Sequence, residues 1–167
     1  AERSLEMGSG GNTYLLRALG SRDIKEGRAE LAIERWELAY PVLTTSESLV
    51  VDDRNWDWLL YFAQNLVEAG ELERAQPLLN GCLEEWERLK EESSMRRWAI
   101  DDVEPQIYAS LGLKEETLEA MRRAIIDGNY RITPIWYGLP VFDFVRDEPE
   151  FQELMEIWHA DLAIQRK

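Results

Sequence analysis

Apolar and polar residues follow one another along this chain with the period of amphipathic α-helices. Apolar residues recur three or four positions apart from Thr13 onward, and glycines or polar clusters interrupt the pattern. Such spacing gathers the apolar side chains on one face of each helix. The pattern predicts six helices, over residues 13–26, 28–43, 53–69, 71–90, 97–111 and 114–127. Asp53 is the expected N-cap of the third helix.

Four positions form a group that recurs about every 42 residues. At offsets 0, 5, 9 and 12 stand a glycine, a small residue, a large apolar residue and another small one. The three copies are Gly27, Ala32, Trp36, Ala39; Gly70, Ala75, Leu79, Cys82; and Gly112, Thr117, Met121, Ala124. A fixed period indicates helix pairs that bury their apolar faces by stacking on each other. We therefore predict an all-α fold, a right-handed solenoid of three helix pairs over residues 13–128.

The two ends of the chain differ from the repeats. Residues 1–12 contain Gly8-Ser9-Gly10-Gly11 and are predicted to be a flexible linker. Residues 129–167 are predicted to form an apolar loop and a capping helix, with Asp147 as its N-cap and Glu150 completing a capping box. Such a helix would cover the last repeat, because the end of a solenoid needs an atypical cap.

The charge is strongly acidic, with 33 Asp and Glu residues against 19 Lys and Arg and a net charge of −14. Such a chain repels phosphate backbones, so no nucleic acid is expected to bind this segment. No apolar run reaches about 18 residues, so no membrane insertion is expected. The opening Ala1-Glu2-Arg3 has no initiator Met, which predicts a processed chain or a piece of a longer protein.

No motif for catalysis or cofactor binding is present in the sequence. Nucleophile elbows, zinc-binding helices and dinucleotide fingerprints are missing. The sole histidine, His159, lacks companion ligands for a metal, and Cys82 stands at a small-residue packing position. We therefore predict a noncatalytic chain without catalytic residues, metal or cofactor.

The repeated positions resemble those of the tetratricopeptide repeat (TPR) family. The small residues Gly20, Gly27, Ala32 and Ala39 match the family's positions where two helices cross closely, and Trp36 matches an aromatic position of the second helix. The spacing of 42 to 43 residues exceeds the family's usual length of about 34. It resembles the long-repeat branch that includes kinesin light chains.

Residues 140–154 carry a second resemblance. The segment from Phe142 to Leu154 fits the pattern Phe-Asp-x-x-Arg-Asp-x-Pro-x-Phe-x-x-Leu, which closes many bacterial repeat domains. Such domains are appended to winged-helix regulators of the CadC type, class III adenylate cyclases and serine/threonine kinases. This resemblance implies a module of a bacterial protein in signal transduction or transcription regulation.

The TPR resemblance also implies a binding surface, because the first helix of each repeat lines the concave face in that family. The corresponding positions are Tyr14, Arg17 and Ser21; Asp57, Leu60, Tyr61 and Gln64; and Asp102 and Gln106. Arg17 is the only cation among them, so the family's carboxylate clamp of Lys and Asn is missing. The tyrosines and glutamines are expected to hydrogen-bond an extended peptide backbone.

The chain contains seven tryptophans, which divide into two groups. Trp36 and Trp86 lie on predicted core faces. Trp56, Trp58 and Trp98 flank helix starts, and they are the candidates for aromatic anchors of a partner surface, with core packing as the alternative.

The sequence thus favours a noncatalytic sensor or interaction module that binds a peptide or protein segment, with some positive charge, in its groove. A stand-alone TPR adaptor or assembly factor is the first alternative, and an enzyme with an unrecognised site is the second. A homodimer is compatible with each of these three functions. The compartment stays open between the cytoplasm and, if a membrane span precedes the chain, the periplasm.

Replacing Ala32 by leucine tests the predicted helix crossing. Ala32→Leu should overpack the contact between the first two helices and lower the free energy of unfolding by roughly 1–3 kcal/mol. Urea unfolding measures the change. A variant as stable as the wild type would mean that Ala32 does not lie at a crossing.

Overall fold

The structure is a computed structural model that describes residues 13–45, 49–92, 97–126 and 137–165, with the backbone alone described at residues 45, 97–102 and 161–165. Within these ranges it is all-helical, as predicted. The α-helices are α1 Thr13–Lys25, α2 Ala29–Ala39, α3 Val42–Thr45, α4 Trp56–Glu68, α5 Leu72–Glu91, α6 Arg97–Ser110, α7 Lys114–Ile126 and α8 Pro149–Gln165. A 3₁₀ helix spans Pro140–Val145. In these described ranges, no helix is long and apolar enough to cross a membrane.

The chain divides into two compact units, residues 1–85 and residues 86–167. In the first unit α1 packs against α2 and α4, and α2 also contacts α4. In the second unit α6 packs against α7, and α7 packs against α8 and the 3₁₀ helix. The predicted linker over residues 1–12 lies outside the described residues.

Three helix ends share one turn geometry. Gly27, Gly70 and Gly112 adopt φ angles of 77°, 82° and 71°, in the left-handed region that only glycine enters without a steric penalty. The residue after each glycine donates its N–H to the carbonyl five positions earlier, at 2.8, 2.8 and 3.0 Å. Each glycine N–H bonds the carbonyl three positions earlier, at 2.9, 3.0 and 3.1 Å. These two bonds define the Schellman motif, so the predicted helix ends are confirmed.

Burial follows the predicted recurrence. The positions 5, 9 and 12 residues after each glycine are buried in all three copies, except that Ala39 is only half-buried. Thr117 fits where the other copies have alanine because its hydroxyl donates to the carbonyl of Leu113 at 2.6 Å and so stays satisfied inside the unit. The positions that recur in the sequence are therefore positions that pack inside the helix contacts.

One buried side chain, Asn65 of α4, joins three helices of the first unit. Its Oδ1 accepts a hydrogen bond from Nε1 of Trp36 on α2 at 2.8 Å. Its Nδ2 donates to Oγ of Ser21 on α1 at 3.3 Å. Gly20 allows this approach, because a Cβ atom there would lie 2.2 Å from the Asn65 Oδ1.

Asp23 is a fully buried carboxylate that links α1 to α2. It accepts hydrogen bonds from Nη2 of Arg28 at 2.5 Å and from Nε of Arg35 at 2.9 Å. The hydrogen bond from Arg28 outweighs the opposing effect of burial, and with Arg35 it holds the pKa of Asp23 below its usual value. The buried charge is therefore paired, as its desolvation requires.

The second unit has its own apolar core, to which α7, the 3₁₀ helix and α8 contribute. Met121, Phe142, Phe151 and Trp158 belong to one cluster of buried side chains. Beside this core, Glu104 bonds Lys90 at 2.6 Å and Arg123 at 2.9 Å. Burial opposes ionisation of Glu104, but the two cations outweigh it and lower its pKa.

The predicted second helix, residues 28–43, is wrong at its C-terminal end. Helix α2 stops at Ala39, and the short α3 begins at Val42. Tyr40 adopts φ −130° and ψ 80°, away from helical values, because the ring of Pro41 disfavours a helical conformation in the residue before it.

The predicted caps Asp53 and Asp147 are also wrong. Asn55 is the N-cap of α4. Helix α8 begins at Pro149, and the carbonyl of the preceding Glu148 accepts a hydrogen bond from the N–H of Gln152. Pro149 begins α8, a position where its missing N–H costs nothing. Both helices therefore begin later than the acidic residues suggested.

The predicted apolar loop over residues 130–145 is wrong in part, since residues 140–145 form the 3₁₀ helix. Val141, Phe142 and Val145 from this helix join the core of the second unit. Residues 127–136, which include the last residue of the predicted helix over residues 114–127, lie outside the described residues.

Adding a methyl group at Gly20 should destabilise the chain. Gly20→Ala favours the helix by about 0.5–1 kcal/mol, yet the new Cβ would clash with Asn65, so we expect a net loss of roughly 1–3 kcal/mol in urea unfolding. In an Asn65→Ala background the clash is gone and the penalty should disappear. An equal penalty in both backgrounds would contradict the close approach.

Removing the buried charge of Asp23 should lower stability by about 1–3 kcal/mol at pH 7. The pKa of Asp23 is lower in the folded chain than its unfolded value of 3.8. Its contribution is therefore complete above about pH 5 and is lost as the pH falls through the folded pKa.

The stability difference between wild type and Asp23→Asn should accordingly shrink as urea unfolding is repeated from pH 7 towards pH 3. The exposed Asp53 provides the control, and Asp53→Asn should change stability by less than about 0.5 kcal/mol. A difference that grows on acidification would refute the ion-pair interpretation.

Candidate functional site

Residues predicted for the concave surface meet where α1 packs against α4. Tyr14 and Arg17 lie one turn apart on α1, and Tyr61 and Gln64 lie one turn apart on α4. The rings of Tyr14 and Tyr61 are 5.2 Å apart between centroids, with an angle of 49° between their planes. We call Tyr14, Arg17, Tyr61 and Gln64 the α1/α4 face.

Arg17 is a buried cation within this face, with 3% of its surface exposed. Its guanidinium carbon lies 5.2 Å from the centre of the Tyr61 ring, a cation–π geometry. Burial lowers the pKa of Arg17 to about 10, although the nearby Tyr61, Glu68 and Tyr14 act in the opposite direction. Arg17 therefore remains charged at neutral pH.

Gln64 is a buried neutral polar residue of this face. It has no exposed surface, and neither its Oε1 nor its Nε2 has a hydrogen-bond partner among the described residues. Leaving a buried polar group unsatisfied costs about 1–3 kcal/mol. A side-chain amide offers both a donor and an acceptor, which is the pair of bonds that a peptide backbone can complete.

The predicted surface residues of the first unit differ in exposure. Leu60 and Tyr61 are buried together with Arg17 and Gln64. Ser21 is half-buried, and Asp57 and Tyr14 are exposed. A ligand would therefore meet Tyr14 and Asp57 first. The predicted binding roles of all these residues stay predictions.

The predicted third-repeat positions belong to the second unit. Gln106 is buried on α6, and its backbone carbonyl accepts a hydrogen bond from Oγ of Ser110 at 2.6 Å. The side chain of Asp102 lies outside the described residues. Its role, like that of Gln106, stays a prediction.

The tryptophans predicted as core or as anchors follow two patterns. Trp36 and Trp86 are fully buried, as predicted. Trp56 and Trp58 are half-buried, and the ring of Trp58 stacks on Tyr40 with centroids 4.1 Å apart and planes 6° apart. The side chain of Trp98 lies outside the described residues, and the proposed anchor role stays a prediction for all three candidates.

Cys82 is buried in the first unit, and His159 lies at the surface of the second unit. Burial raises the pKa of the Cys82 thiol to about 12, and Sγ donates to the carbonyl of Trp56 at 3.4 Å. This confirms a packing thiol. His159 is exposed beside Trp158. Among the side chains that the structure describes, no group of three or more His, Cys, Asp or Glu residues is arranged to hold a metal.

Sequence reasoning missed Glu68, which lies near enough to Arg17 to influence its pKa. The spacing was informative, because Glu68 stands one helical turn beyond Gln64 on α4. It was overlooked because an isolated acidic residue near a helix end is typical of a solvent-exposed surface. An acid therefore lies near the cation of the α1/α4 face.

The pattern from Phe142 to Leu154, which we call the tail motif, contains Arg146, whose side chain makes several hydrogen bonds. Its guanidinium donates to the carbonyls of Tyr137 and Leu139, each at 3.2 Å, and to Oδ1 of Asp143 at 2.7 Å. These bonds tie the residues before the 3₁₀ helix to its C-terminal end. The Asp and Arg of the motif therefore stabilise the turn that leads into α8.

Comparisons with protein-family models, with curated proteins and with solved structures give no match for this chain. The TPR resemblance, the solenoid architecture and the link to bacterial signalling proteins therefore stay predictions. The local geometry of the described residues is the basis for the functional proposal.

Proposed function

We propose that this chain is a noncatalytic interaction module of the TPR type that binds a peptide or protein segment on the α1/α4 face. In this proposal the helix pairs form a right-handed solenoid, and α8 caps its last repeat. Three Schellman turns and the buried small positions after them support this architecture. Repeat architectures of this kind create extended concave surfaces for binding.

The observation that carries the binding proposal is the unsatisfied amide of Gln64. Buried polar groups are nearly always hydrogen-bonded, so an exception needs an explanation, and a bound ligand would supply one. An extended peptide would supply one carbonyl and one N–H to this amide. Tyr14, exposed at the edge of the face, would give way to the incoming segment and contact it.

The charge of the site favours a basic segment. Asp57 is exposed on the first turn of α4, and the chain has a net charge of −14. Such a field accelerates association with cations and repels anions. Arg17 stays charged inside the face, and its role in the proposal is to orient a backbone carbonyl.

The cellular role that fits this module is sensing or assembly within a bacterial signalling or regulatory protein. Support comes from the resemblance of residues 140–154 to the closing segment of repeat domains in such proteins. Within that segment, Asp143 and Arg146 form the ion pair that stabilises the turn before α8.

Gln64→Leu separates binding from stability. Replacing an unsatisfied buried amide by an apolar side chain of similar size should leave the free energy of unfolding unchanged or raise it by about 1–3 kcal/mol. The same change should abolish binding of the peptides that the wild type selects from an array of 12-residue basic and acidic sequences.

Gln76→Leu is the matched control, because Gln76 is an exposed glutamine on α5, and it should preserve the selected peptides. Asp57→Asn should slow association with basic peptides and flatten its salt dependence. Binding that is equal in wild type and Gln64→Leu, or selection of acidic peptides by the wild type, would refute the proposal.

A further inference from the structure

A row of stacked aromatic side chains in the first unit ends at Trp58 on α4. The ring of Trp58 stacks on Tyr40, the residue after α2, with centroids 4.1 Å apart and planes 6° apart. Tyr40 in turn stacks on Trp36, with 5.8 Å between centroids. Trp36 is fully buried, whereas Tyr40 and Trp58 are half-buried. The row therefore leads from the core to the surface, where part of Trp58 is open to solvent.

Asp57, the residue before Trp58, brings a carboxylate to the exposed end of this row. Its side chain is exposed. Burial raises the pKa of Tyr40, and the charge of Asp57 adds to that increase. Burial is also the main cause that raises the pKa of Tyr61, and the charge of Asp57 again adds to it. Asp57 therefore lies near Tyr40, on which Trp58 stacks, and near the α1/α4 face.

The carboxylate of Asp57 has aromatic neighbours and no cation beside it. Among the described residues it forms no ion pair, whereas Asp23 and Glu104 each bind two cations. A solvated aspartate by itself is ordinary on a protein surface. An aromatic ring beside it adds the negative face of a π system, so carboxylate and ring attract the same kind of ligand, a cation.

An arginine side chain matches this combination better than a lysine side chain does. The guanidinium is planar and weakly hydrated, so it stacks on aromatic rings and donates two parallel hydrogen bonds to a carboxylate. The ammonium of lysine is a compact and strongly hydrated charge. Tryptophan is the aromatic residue with the strongest cation–π attraction. Asp57 and Trp58 thus offer the two features that a guanidinium uses.

We infer that Asp57 and Trp58 bind an arginine side chain of the segment that this chain recognises. The guanidinium packs against the exposed part of Trp58, and its N–H groups donate to the carboxylate of Asp57. The inference rests on the proposed function, because Asp57 lies near the α1/α4 face on which the peptide is proposed to bind. It adds which side chain the segment carries and where that side chain docks.

The test uses N-acetyl-argininamide as the probe, so that the position is examined without a peptide. The indole N–H signal of Trp58 in the ¹⁵N-labelled chain, identified by its loss in Trp58→Phe, should move saturably during titration. The ring current should shift the Cδ protons of the probe upfield. N-acetyl-citrullinamide has the same shape without the charge, and N-acetyl-lysinamide has the charge without the plane, so both should bind more weakly.

Two substitutions and a matched control locate the probe. Trp58→Leu keeps an apolar side chain but removes the ring, so the affinity should fall about two- to five-fold. Asp57→Asn removes the charge at an exposed position, and a similar loss is expected. Asp53→Asn removes the same charge from an exposed aspartate outside α4 and should leave the affinity unchanged. Thermal melting verifies folding, and Asp57→Asn tests the inference even where Trp58→Leu unfolds the chain.

Several results would overturn the inference. They are an unmoved Trp58 signal, equal affinity for the arginine and citrulline probes, preference for the lysine probe, and equal effects of Asp57→Asn and Asp53→Asn. Peptide binding that depends on Gln64 without binding of the arginine probe would overturn this inference alone. Binding of the probe that depends on Trp58, with no peptide selected from the array, would support the arginine position and contradict the proposed function.

Discussion

The helix pairs of this protein depend on one backbone constraint, the left-handed turn at Gly27, Gly70 and Gly112. In an ordinary residue that conformation places Cβ too close to the backbone and costs roughly 1–2 kcal/mol. The Schellman bonds also satisfy carbonyls that the helix end would otherwise leave free. After two of these turns the next helix packs directly on the one before, α2 on α1 and α7 on α6. The small residues five positions after each glycine are buried as a result.

Polar groups inside the helix contacts follow a second rule, that what is buried is paired. Asp23 and Glu104 each bond two cations, and Asn65 uses both ends of its amide. Gln64 on α4 and the indole of Trp158 on α8 depart from this rule within the described residues. They belong to different units. The departure at Gln64 is why we propose binding at the α1/α4 face rather than at the well-paired carboxylates.

Sequence patterns predicted correctly those features that depend on a short segment of the chain. The helical period and the three glycines predicted the helices, their ends and the burial of Trp36, because side-chain spacing and backbone angles are properties of short segments. The failures were also local. A proline at residue 41 ended α2 early. Asp53 and Asp147 were predicted as caps by residue type, but α4 begins at Trp56 and α8 at Pro149, so neither aspartate stands directly before its helix.

The sequence by itself thus determined the all-helical class, the repeating turn and the small, aromatic and thiol positions that pack. Only the tertiary structure decided that Asn65 would meet Ser21, 44 residues away along the chain, and that Arg17 and Gln64 would be buried rather than exposed. Periodicity identifies the side of a helix on which a residue lies. What covers that side, and whether a polar group there finds a partner, depends on helices far apart in the sequence.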